Sequence, residues 1–333
     1  MITPLPAISP RQKMLLVVLP ALNEGITLKA VIDRIPRQIP GIGTVEVLVV
    51  DDGSTDDTVA ASKAAGAHVV SHGNNRGVGA AMQTGLDEAV RRRADYMVNI
   101  DSDGQFSPED IPTLLAPLLA GQAEFATASR FLDPKLVPVM PLVKRIGNWG
   151  MARIVSTLSG KRFEDVSCGF RAYTRETMLK LVLTGEFTYT QESILVLAQR
   201  RVRMMEVPLA VRGVREHGES RVASNLFRYA YRTSSILYSV VRDYSPHAIF
   251  HTAAALMLAV AMALGAFFFG HYLVVGAFTP HLWAGFLAAF LAGMAVLVWG
   301  LGQIAVMIAR LRHMHERELY ILRRHVERHE DES

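Results

Sequence analysis

The sequence predicts an α/β domain with a Rossmann-like mixed sheet, followed by an amphipathic helix and two transmembrane helices. Three observations lead to this fold class. Short apolar runs alternate with helical patterns over the first two thirds of the chain. Polar segments rich in Asp and Gly follow several of these runs, as they do at the strand ends of open α/β sheets. Two long segments without charged residues lie near the C-terminus.

The predicted strands are short and mostly apolar, which is typical of a sheet buried on both faces. They comprise residues 14–19, 45–50, 68–71, 96–100, 124–129 and 204–211, the last interrupted by Pro208. Helical patterns separate most of them. This alternation predicts right-handed βαβ units with helices on both faces of the sheet.

The predicted helices follow the strands in order. Their ranges are 24–35, a segment ending at 65, a segment from the loop 73–77 to about 93, 108–119, 142–158 and 191–201. The segment 165–171 is predicted to be a loop or a short strand. No G-x-G-x-x-G follows the first strand and no G-x-x-x-x-G-K-[ST] occurs in the chain, so a dinucleotide enzyme and a P-loop kinase are disfavoured.

Two carboxylates one residue apart, Asp101 and Asp103, follow the predicted strand 96–100. Open α/β sheets bind ligands beyond the carboxyl ends of their strands. Mg²⁺ is often held by one or two carboxylates together with substrate phosphates. Taken alone, however, a D-x-D is more typical of a polar turn before a helix, so the rest of the chain decides between the two interpretations.

Two apolar segments are long enough to cross a membrane. Residues 248–270 and 282–309 contain no Asp, Glu, Lys or Arg, and each exceeds the roughly 20 residues that span a bilayer. The loop 271–281 has no Lys or Arg, whereas arginines flank both segments. The positive-inside rule then predicts a multi-pass protein of the cell (inner) membrane with both termini cytoplasmic. Buried helices of a soluble protein are the alternative.

The segments around the predicted spans complete the domain organisation. We expect a cytoplasmic catalytic domain at 1–221, an interfacial amphipathic helix at 222–246, the two spans within 247–309 and a basic cytoplasmic tail at 310–333. One stripe of the amphipathic segment carries Phe227, Tyr231, Tyr238 and Val241. Arginines beside this stripe suit the headgroup level of a membrane. A surface helix packed on the soluble domain is the alternative.

Composition excludes several function classes. The formal net charge is only +4, and no Lys/Arg block with interleaved aromatics occurs, so we expect no nucleic-acid partner. A lone Cys168 excludes an intrachain disulfide and is expected to be a small buried residue. The N-terminus lacks the basic, apolar and small-residue pattern of a signal peptide.

Two further features bear on metal binding and on oligomerisation. His68, His72 and His217 lack the spacing of zinc ligands, so a zinc site is disfavoured. Glycines recur in the predicted spans at Gly265, Gly270, Gly293 and Gly300. Small residues allow close packing of membrane helices, and a homo-oligomer therefore stays open.

Six motifs occur in a fixed order along the chain. They are Leu19–Glu24 (LPALNE), Val49–Asp57 (VVDDGSTDD), Asn75–Gly77 (NRG), Asp101–Gln105 (DSDGQ), Ser129–Phe131 (SRF) and Arg215–Arg221 (REHGESR). Together they resemble the family-2 glycosyltransferases of GT-A fold, and among these the dolichyl- and polyprenyl-phosphate mannosyl- and glucosyltransferases. The resemblance covers roughly residues 14–221, and the two predicted spans match membrane-anchored members.

The resemblance implies a nucleotide-sugar site at the ends of the first strands. The residues at matching positions are Pro20, Leu22, Glu24, Val49, Asp51, Asp101, Ser102 and Asp103. Leu22 stands where relatives often have an aromatic residue, which puts stacking on the base in doubt. We expect a structural turn role for Asp52.

The resemblance also implies a divalent metal, Mg²⁺ or Mn²⁺, bound near the donor diphosphate. Asp103 and Gln105 are the expected direct ligands, and Asp101 is expected to reach the metal or the ribose. Such a metal would neutralise charge on the departing nucleoside diphosphate. The resemblance thereby reverses the interpretation of the D-x-D as a turn.

The acceptor side is predicted to be basic. Arg130, Arg215 and Arg221 match phosphate-contacting positions of the family, with Arg221 in place of a more usual Lys, and Arg145 is a fourth candidate. Guanidinium groups suit bidentate contact with phosphate oxygens. Each arginine has the alternative of a surface ion pair. Asp103, Arg130 and Arg215 are the residues we expect to act in catalysis.

The resulting functional prediction is transfer of a mannose- or glucose-type hexose from a GDP- or UDP-sugar to a polyprenyl or dolichyl phosphate, with inversion. A phosphomonoester is already largely dianionic at neutral pH, so no general base is compulsory. Gln191-Glu192 lies where related polymerases carry a base, although a structural Glu192 is equally compatible with the sequence.

Two alternatives remain at this point. A processive polysaccharide synthase is disfavoured because Gln199–Arg203 (QRRVR) is not the Q-x-x-R-W of such enzymes and two spans make a poor polymer channel. A non-catalytic membrane scaffold that binds a nucleotide sugar would be expected to lose the D-x-D or the acceptor arginines. Neither is lost.

Overall fold

The order of the elements follows the alternation seen in the sequence. The computed structural model describes residues 12–138, 140, 142–183, 189–212, 238 and 246–332. It divides into two compact units, 1–231 and 232–333. Of the predicted amphipathic segment 222–246, only Tyr238 and Pro246 lie within the described residues, and Arg215 and Arg221 lie outside them.

Seven strands form one sheet in the first unit. They are β1 (Met14–Ala21), β2 (Thr44–Asp51), β3 (His68–Ser71), β4 (Tyr96–Asn99), β5 (Phe125–Ser129), β6 (Arg171–Thr174) and β7 (Met204–Pro208). Their order in the sheet is β3-β2-β1-β4-β6-β5-β7. The first four strands are mutually parallel, β6 is antiparallel to β4 and β5, and β7 is parallel to β5.

Seven α-helices connect these strands. They are α1 (Gly25–Asp33), α2 (Thr58–Ala64), α3 (Val78–Arg91), α4 (Ile111–Leu119), α5 (Leu142–Ser159), α6 (Arg175–Lys180) and α7 (Tyr189–Gln199). Residues 108–110, predicted as the start of α4, form a separate 3₁₀ turn. The last predicted strand ends at Pro208 rather than at residue 211, because proline has no N–H to continue the ladder.

The antiparallel strand β6 is the main departure from a run of βαβ units. Its residues, Arg-Ala-Tyr-Thr, form no apolar run, so the sequence predicted only a loop or short strand ending at Arg171. Helix α6 was likewise not predicted. Thr174 caps it, since its hydroxyl accepts a hydrogen bond from the backbone N–H of Thr177 at 3.4 Å.

Helices cover both faces of the sheet, as predicted. Leu15, Val17 and Leu19 of β1 belong to a core cluster that includes residues of α1 and α4. The opposite face of β1 meets α3, where a Cβ built on Gly85 would lie 2.5 Å from a methyl group of Val18. The sheet is mixed, as predicted, and its strand β1 is enclosed by helices on both faces.

Among its described residues, the second unit contains two long helices, α8 (Pro246–Val275) and α9 (Leu282–Glu332). Two segments are long and apolar enough to span a membrane: Ile249–Val275, with mean hydropathy 2.2, and Leu282–Leu311, with mean hydropathy 2.1. Only 11% of each is buried, so most of their apolar surface needs an apolar surrounding. Helix α9 continues beyond the second segment to Glu332, so the described part of the basic tail is helical.

The two long helices pack closely where a glycine removes a side chain. A Cβ built on Gly302 would lie 2.7 Å from Cβ of Phe250. Next to it, the amide of Gln303 lies 3.0 Å from Nε2 of His251. Small residues and polar pairs of this kind are common between membrane helices.

Candidate active site

The parallel strands bring their carboxyl ends to one edge of the sheet. Ala21 at the end of β1 is paired with Asp51 at the end of β2, and Asp52 donates its backbone N–H to the Ala21 carbonyl at 2.9 Å. Ile100, directly after β4, donates to the Val18 carbonyl of β1 at 3.1 Å. The loops that follow β1, β2 and β4 therefore share one rim, which carries the predicted site residues.

The loops after β1 and β2 are joined by side chains. Asn23, in the left-handed region with φ of 56°, accepts a hydrogen bond from the Thr55 backbone N–H at 2.8 Å. Its own N–H donates to the Ser54 hydroxyl at 2.9 Å. Asp56 accepts from the N–H of Gly25 at 3.1 Å. These bonds fix the segment that carries Glu24 against the segment that follows Asp51.

Asp51 is 2% exposed, and both of its carboxylate oxygens are used inside the protein. One oxygen accepts from the Ser54 N–H at 2.9 Å and the other from the Ser71 hydroxyl at 2.6 Å. Burial raises the pKa of Asp51, but these hydrogen bonds outweigh burial and the pKa is lowered. The carboxylate is thus held ionised at the rim.

Asp52 holds the loop before α3. Its carboxylate accepts from the backbone N–H groups of Arg76 and Gly77, each at 2.9 Å, and contacts Nδ1 of His72 at 2.9 Å. His72 contacts the Thr84 hydroxyl with its other ring nitrogen at 2.9 Å. These contacts agree with the structural turn role expected for Asp52.

The D-x-D loop is tied to the β1 loop. The hydroxyl of Ser102 donates to the Pro20 carbonyl at 3.0 Å, and the hydroxyl of Thr27 donates to the Ser102 carbonyl at 3.0 Å. The same hydroxyl oxygen lies 3.2 Å from the Glu24 carboxylate, which competes for its single proton. Thr27 was missed by the sequence analysis, because nothing in a helical Thr indicates that it reaches across 75 residues.

The two aspartates of this loop differ in exposure. Asp103 is 6% exposed, whereas Asp101 is half-buried. One oxygen of Asp103 accepts from the Gln105 N–H at 3.1 Å, and the Gln105 carbonyl accepts from the Arg212 N–H at 3.0 Å. The loop therefore has a defined conformation set by its own side chains and by the segment after β7.

Some predicted nucleotide contacts lie at the rim and one does not. Pro20, Leu22 and Glu24 are half-buried at the end of β1. Val49 is fully buried within β2, paired on both sides and part of the core cluster. Val49 is thus a core residue in this structure, and its contact with the nucleotide stays a prediction.

Arg130 directly follows the last residue of β5. It is one of the two described arginines among those predicted to contact the acceptor phosphate. Its Nε and Nη2 donate to the two carboxylate oxygens of Asp165 at 2.6 and 2.9 Å. Burial lowers the pKa of Arg130, but the hydrogen bond and charge of Asp165 outweigh burial and raise it. Arg145, the other described candidate, is exposed on α5.

The candidate base position lies at the start of α7. Gln191 and Glu192 are both buried, and the Gln191 amide oxygen accepts from the Thr190 hydroxyl at 2.9 Å. The Thr190 carbonyl accepts from Nη1 of Arg171 at 2.7 Å. Cys168 is buried, as expected, and burial raises the pKa of its thiol to about 12.

The donor set of the D-x-D loop fits a hard divalent cation. In the part of the chain that the structure describes, no three His, Cys, Asp or Glu side chains converge on one point. Two carboxylates and the amide oxygen of Gln105 nevertheless match the oxygen ligands of Mg²⁺, which commonly completes its shell with phosphate and water. The glycine at residue 169 leaves the space that the Asp101 carboxyl fills.

Comparison with known proteins identifies the family. Residues 16–181 match the family described as glycosyl transferase family 2. Polyprenol monophosphomannose synthase from Mycolicibacterium smegmatis is 32% identical over 193 residues, which cover 54% of this chain and 68% of that protein. The chain belongs to glycosyl transferase family 2.

A second relative and a solved structure are also similar to this chain. UDP-N-acetylglucosamine–dolichyl-phosphate N-acetylglucosaminyltransferase from Methanococcus voltae is 28% identical over 217 residues, covering 59% of this chain and 85% of that protein. Glucosyl-3-phosphoglycerate synthase from Mycobacterium tuberculosis, solved with Mn²⁺, UDP-glucose and phosphoglyceric acid, is 26% identical with a TM-score of 0.53. That match covers 68% of this chain and 79% of the synthase.

Proposed function

We propose that this family 2 member transfers a mannose- or glucose-type hexose from a GDP- or UDP-sugar to a polyprenyl or dolichyl phosphate. The observation that carries the proposal is the position of Asp101 and Asp103 on one rim with the loops after β1 and β2. A nucleotide sugar needs contacts along its nucleoside and a cation at its diphosphate, and this rim offers both kinds of group.

The lipid acceptor is supported by two independent features. Two named relatives are a polyprenol monophosphomannose synthase and a dolichyl-phosphate N-acetylglucosaminyltransferase. This chain also has two helices long and apolar enough to span a membrane. We propose that these helices and an interfacial segment at 222–246 anchor a cytoplasmic catalytic domain to the inner membrane.

The donor would bind along the rim. Pro20, Leu22, Glu24 and Asp51 would surround the nucleoside, and Asp101, Ser102 and Asp103 would lie at the ribose and diphosphate. Since Asp51 already binds Ser54 and Ser71, its role would include holding the rim loops in place. Carboxylates suit the hydroxyl and N–H donors of a nucleoside.

Asp101, Asp103 and Gln105 would hold Mg²⁺ or Mn²⁺. When bound, such a cation supplies positive charge that stabilises a departing nucleoside diphosphate. The protein's own contribution is to hold the carboxylates at one place on the rim before the substrate arrives, because preorganised charge costs no reorganisation during the reaction.

The acceptor would arrive already charged. A phosphomonoester has a second pKa of about 6, so its oxygen can attack the anomeric carbon without a general base. Attack opposite the diphosphate inverts that carbon. Arg130 and Arg145, with Arg215 and Arg221 outside the described residues, would orient the phosphate. The two bonds to Asp165 occupy two of the five N–H donors that a guanidinium carries.

A panel of donors and acceptors tests the proposal. Purified full chain is incubated with radiolabelled GDP-mannose, GDP-glucose or UDP-glucose, in the presence of Mg²⁺ or Mn²⁺ and either polyprenyl phosphate or 3-phosphoglycerate. We expect label in the chloroform phase with the lipid acceptor. Label only in a water-soluble product would contradict the lipid acceptor, and release of sugar without transfer would contradict synthase activity.

A further inference from the structure

Asp101 has a glycine directly behind its carboxyl group. A Cβ built on Gly169 would lie 2.6 Å from Oδ2, 2.7 Å from Oδ1 and 2.9 Å from Cγ of Asp101. Real Cβ atoms essentially never come this close to another heavy atom. The Asp101 carboxyl can occupy its place only because residue 169 has no side chain.

The backbone conformation does not require a glycine at this position. The glycines with positive φ include Gly53, Gly66 and Gly104, and Gly169 is not among them. An alanine would therefore be acceptable to the local backbone. The close approach to Asp101, rather than the turn, is what demands a glycine at residue 169.

Gly169 cannot easily move away from Asp101. The side-chain amide of Asn99 donates a hydrogen bond to the Gly169 carbonyl. Asn99 is the last residue of β4, two residues before Asp101, and pairs with Arg171 of β6. The same ladder pair therefore fixes both the strand that leads to Asp101 and the strand that follows Gly169.

Arg171 holds the chain on the N-terminal side of Gly169. It is fully buried, with Nε donating to the Cys168 carbonyl at 2.8 Å and Nη2 to the Val166 carbonyl at 3.2 Å. Its Nη1 donates to the Thr190 carbonyl at 2.7 Å. One buried cation thus joins this segment to the first turn of α7.

Asp165 holds the other end of the same segment. Besides accepting from Arg130, Asp165 donates its N–H to the Glu206 carboxylate at 2.8 Å, as Glu164 does at 2.9 Å. Both ends of residues 165–171 are therefore bound to neighbouring strands. A segment held in this way resists displacement of Gly169 by a larger side chain.

We propose that Gly169 is a positioning residue that, backed by the segment 165–171, sets where the Asp101 carboxylate stands in the metal–diphosphate site. This inference rests on the proposed function. The hydrogen-bonded backbone at Gly169 limits where the Asp101 carboxyl can stand, and we expect its oxygens to keep that position when a ligand binds. Mg²⁺ demands nearly ideal octahedral geometry, and a carboxylate displaced by an added methyl group no longer meets that demand.

The test measures Mn²⁺ binding, independently of turnover. Mn²⁺ is titrated into the detergent-solubilised full chain with UDP or GDP, and free Mn²⁺ is followed by electron paramagnetic resonance. We expect Gly169→Ala to weaken Mn²⁺ binding by about tenfold or more, as displaced or unsupported metal ligands do. Gly150→Ala is the matched control, because a Cβ at Gly150 meets nothing within 4 Å, and it should bind Mn²⁺ as the wild type does.

A double-mutant cycle covers the case in which Gly169→Ala is unstable. The methyl group that Gly169→Ala adds clashes with a carboxyl group only when Asp101 is present. Gly169→Ala should therefore lower Tm in the wild type and have much less effect in the Asp101→Ala background. Equal losses of Tm in both backgrounds would overturn the inference. So would unchanged Mn²⁺ binding by Gly169→Ala, or no Mn²⁺ binding by the wild type. Mn²⁺ binding that depends on Gly169 without sugar transfer would instead contradict only the proposed function.

Discussion

Arg130 and Asp165 form a two-point ion pair, with Nε and Nη2 of the arginine 2.6 and 2.9 Å from the two carboxylate oxygens. Asp165 is fully buried, and the Arg130 side chain is 20% exposed. The pair joins the end of β5 to the segment that backs Asp101. An arginine predicted to bind the acceptor phosphate is thus also part of the framework of the site.

Removal of Asp165 should be costly for stability. Asp165→Ala leaves the guanidinium of Arg130 in a largely buried place without its partner, which typically costs about 3–5 kcal/mol in the free energy of unfolding. Asp33→Ala removes the partner of Lys29 in an exposed pair and should cost less than about 1 kcal/mol. Denaturant unfolding of the two variants makes the comparison. Equal losses would show that the buried pair contributes no more than the exposed one.

Substitutions at Gly53 and Gly66, which share a left-handed backbone conformation, separate the cost of backbone strain from the cost of a steric clash. Gly53 and Gly66 have φ of 83° and 77°. A Cβ on Gly53 would lie 2.6 Å from the Asn74 backbone, whereas a Cβ on Gly66 meets nothing within 4 Å. Gly66→Ala should lower the free energy of unfolding by about 1–2 kcal/mol, because an alanine is strained in this backbone conformation.

Gly53→Ala should lower the free energy of unfolding by about 1–3 kcal/mol more than Gly66→Ala does, because its methyl group overpacks the loop before α3. It should also weaken nucleotide binding, since that loop lies beside the rim. Thermal unfolding and nucleotide titration of both variants check this. A Gly53 variant as stable as the Gly66 variant would contradict the close approach of the two loops.

Asp51 gives the fold a defined dependence on pH. Its pKa is lowered in the folded chain, where hydrogen bonds from Ser54 and Ser71 outweigh burial. Its contribution to stability is therefore fully present above the unfolded value of about 3.9 and is lost as the pH falls through the lower folded value. The stability difference between wild type and Asp51→Asn should be largest at neutral pH and shrink in acid. A difference that grows on acidification would contradict the contacts of Asp51.

The thiol of Cys168 should be unreactive in the folded protein. Burial raises the pKa of the thiol to about 12, and the thiolate is the reactive form. We expect no labelling by a maleimide at neutral pH until the chain is unfolded, followed by one label per chain. Mass spectrometry of the native and denatured protein decides this. Rapid labelling of the native chain would show that the segment 165–171 opens.

Much of the fold follows from short-range patterns. The apolar runs predict β1, β2, β4 and β5 to within two residues. The helical spacing predicts the starts and ends of most helices equally well, whereas α4 starts three residues later than predicted. The same patterns could not predict β6, because it contains an arginine. The buried Arg171 is accommodated because its N–H groups donate to the carbonyls of Cys168 and Val166 in its own segment and of Thr190 in α7. No local pattern of residues indicates this set of acceptors.

The candidate site also contains residues that the sequence could predict and residues that it could not. Asp101 and Asp103 follow an apolar run, so their place at a strand end could be predicted. The partners that position them could not be: Thr27 lies 75 residues from Ser102 in sequence, and Gly169 lies far from Asp101. The burial of Val49 could not be predicted from its motif either, because a motif gives positions along the chain and not burial.

The most direct test of the account is formation of the lipid-linked sugar by Asp103→Ala. Wild-type protein, given a labelled nucleotide sugar, polyprenyl phosphate and Mg²⁺ or Mn²⁺, should yield a chloroform-soluble labelled product that disappears on addition of EDTA. Asp33→Ala, which alters an exposed carboxylate of α1, should retain this activity. Asp103→Ala should lose it by at least about a hundredfold, in the range typical of lost charge stabilisation. An undiminished product from Asp103→Ala would contradict the assignment of the site.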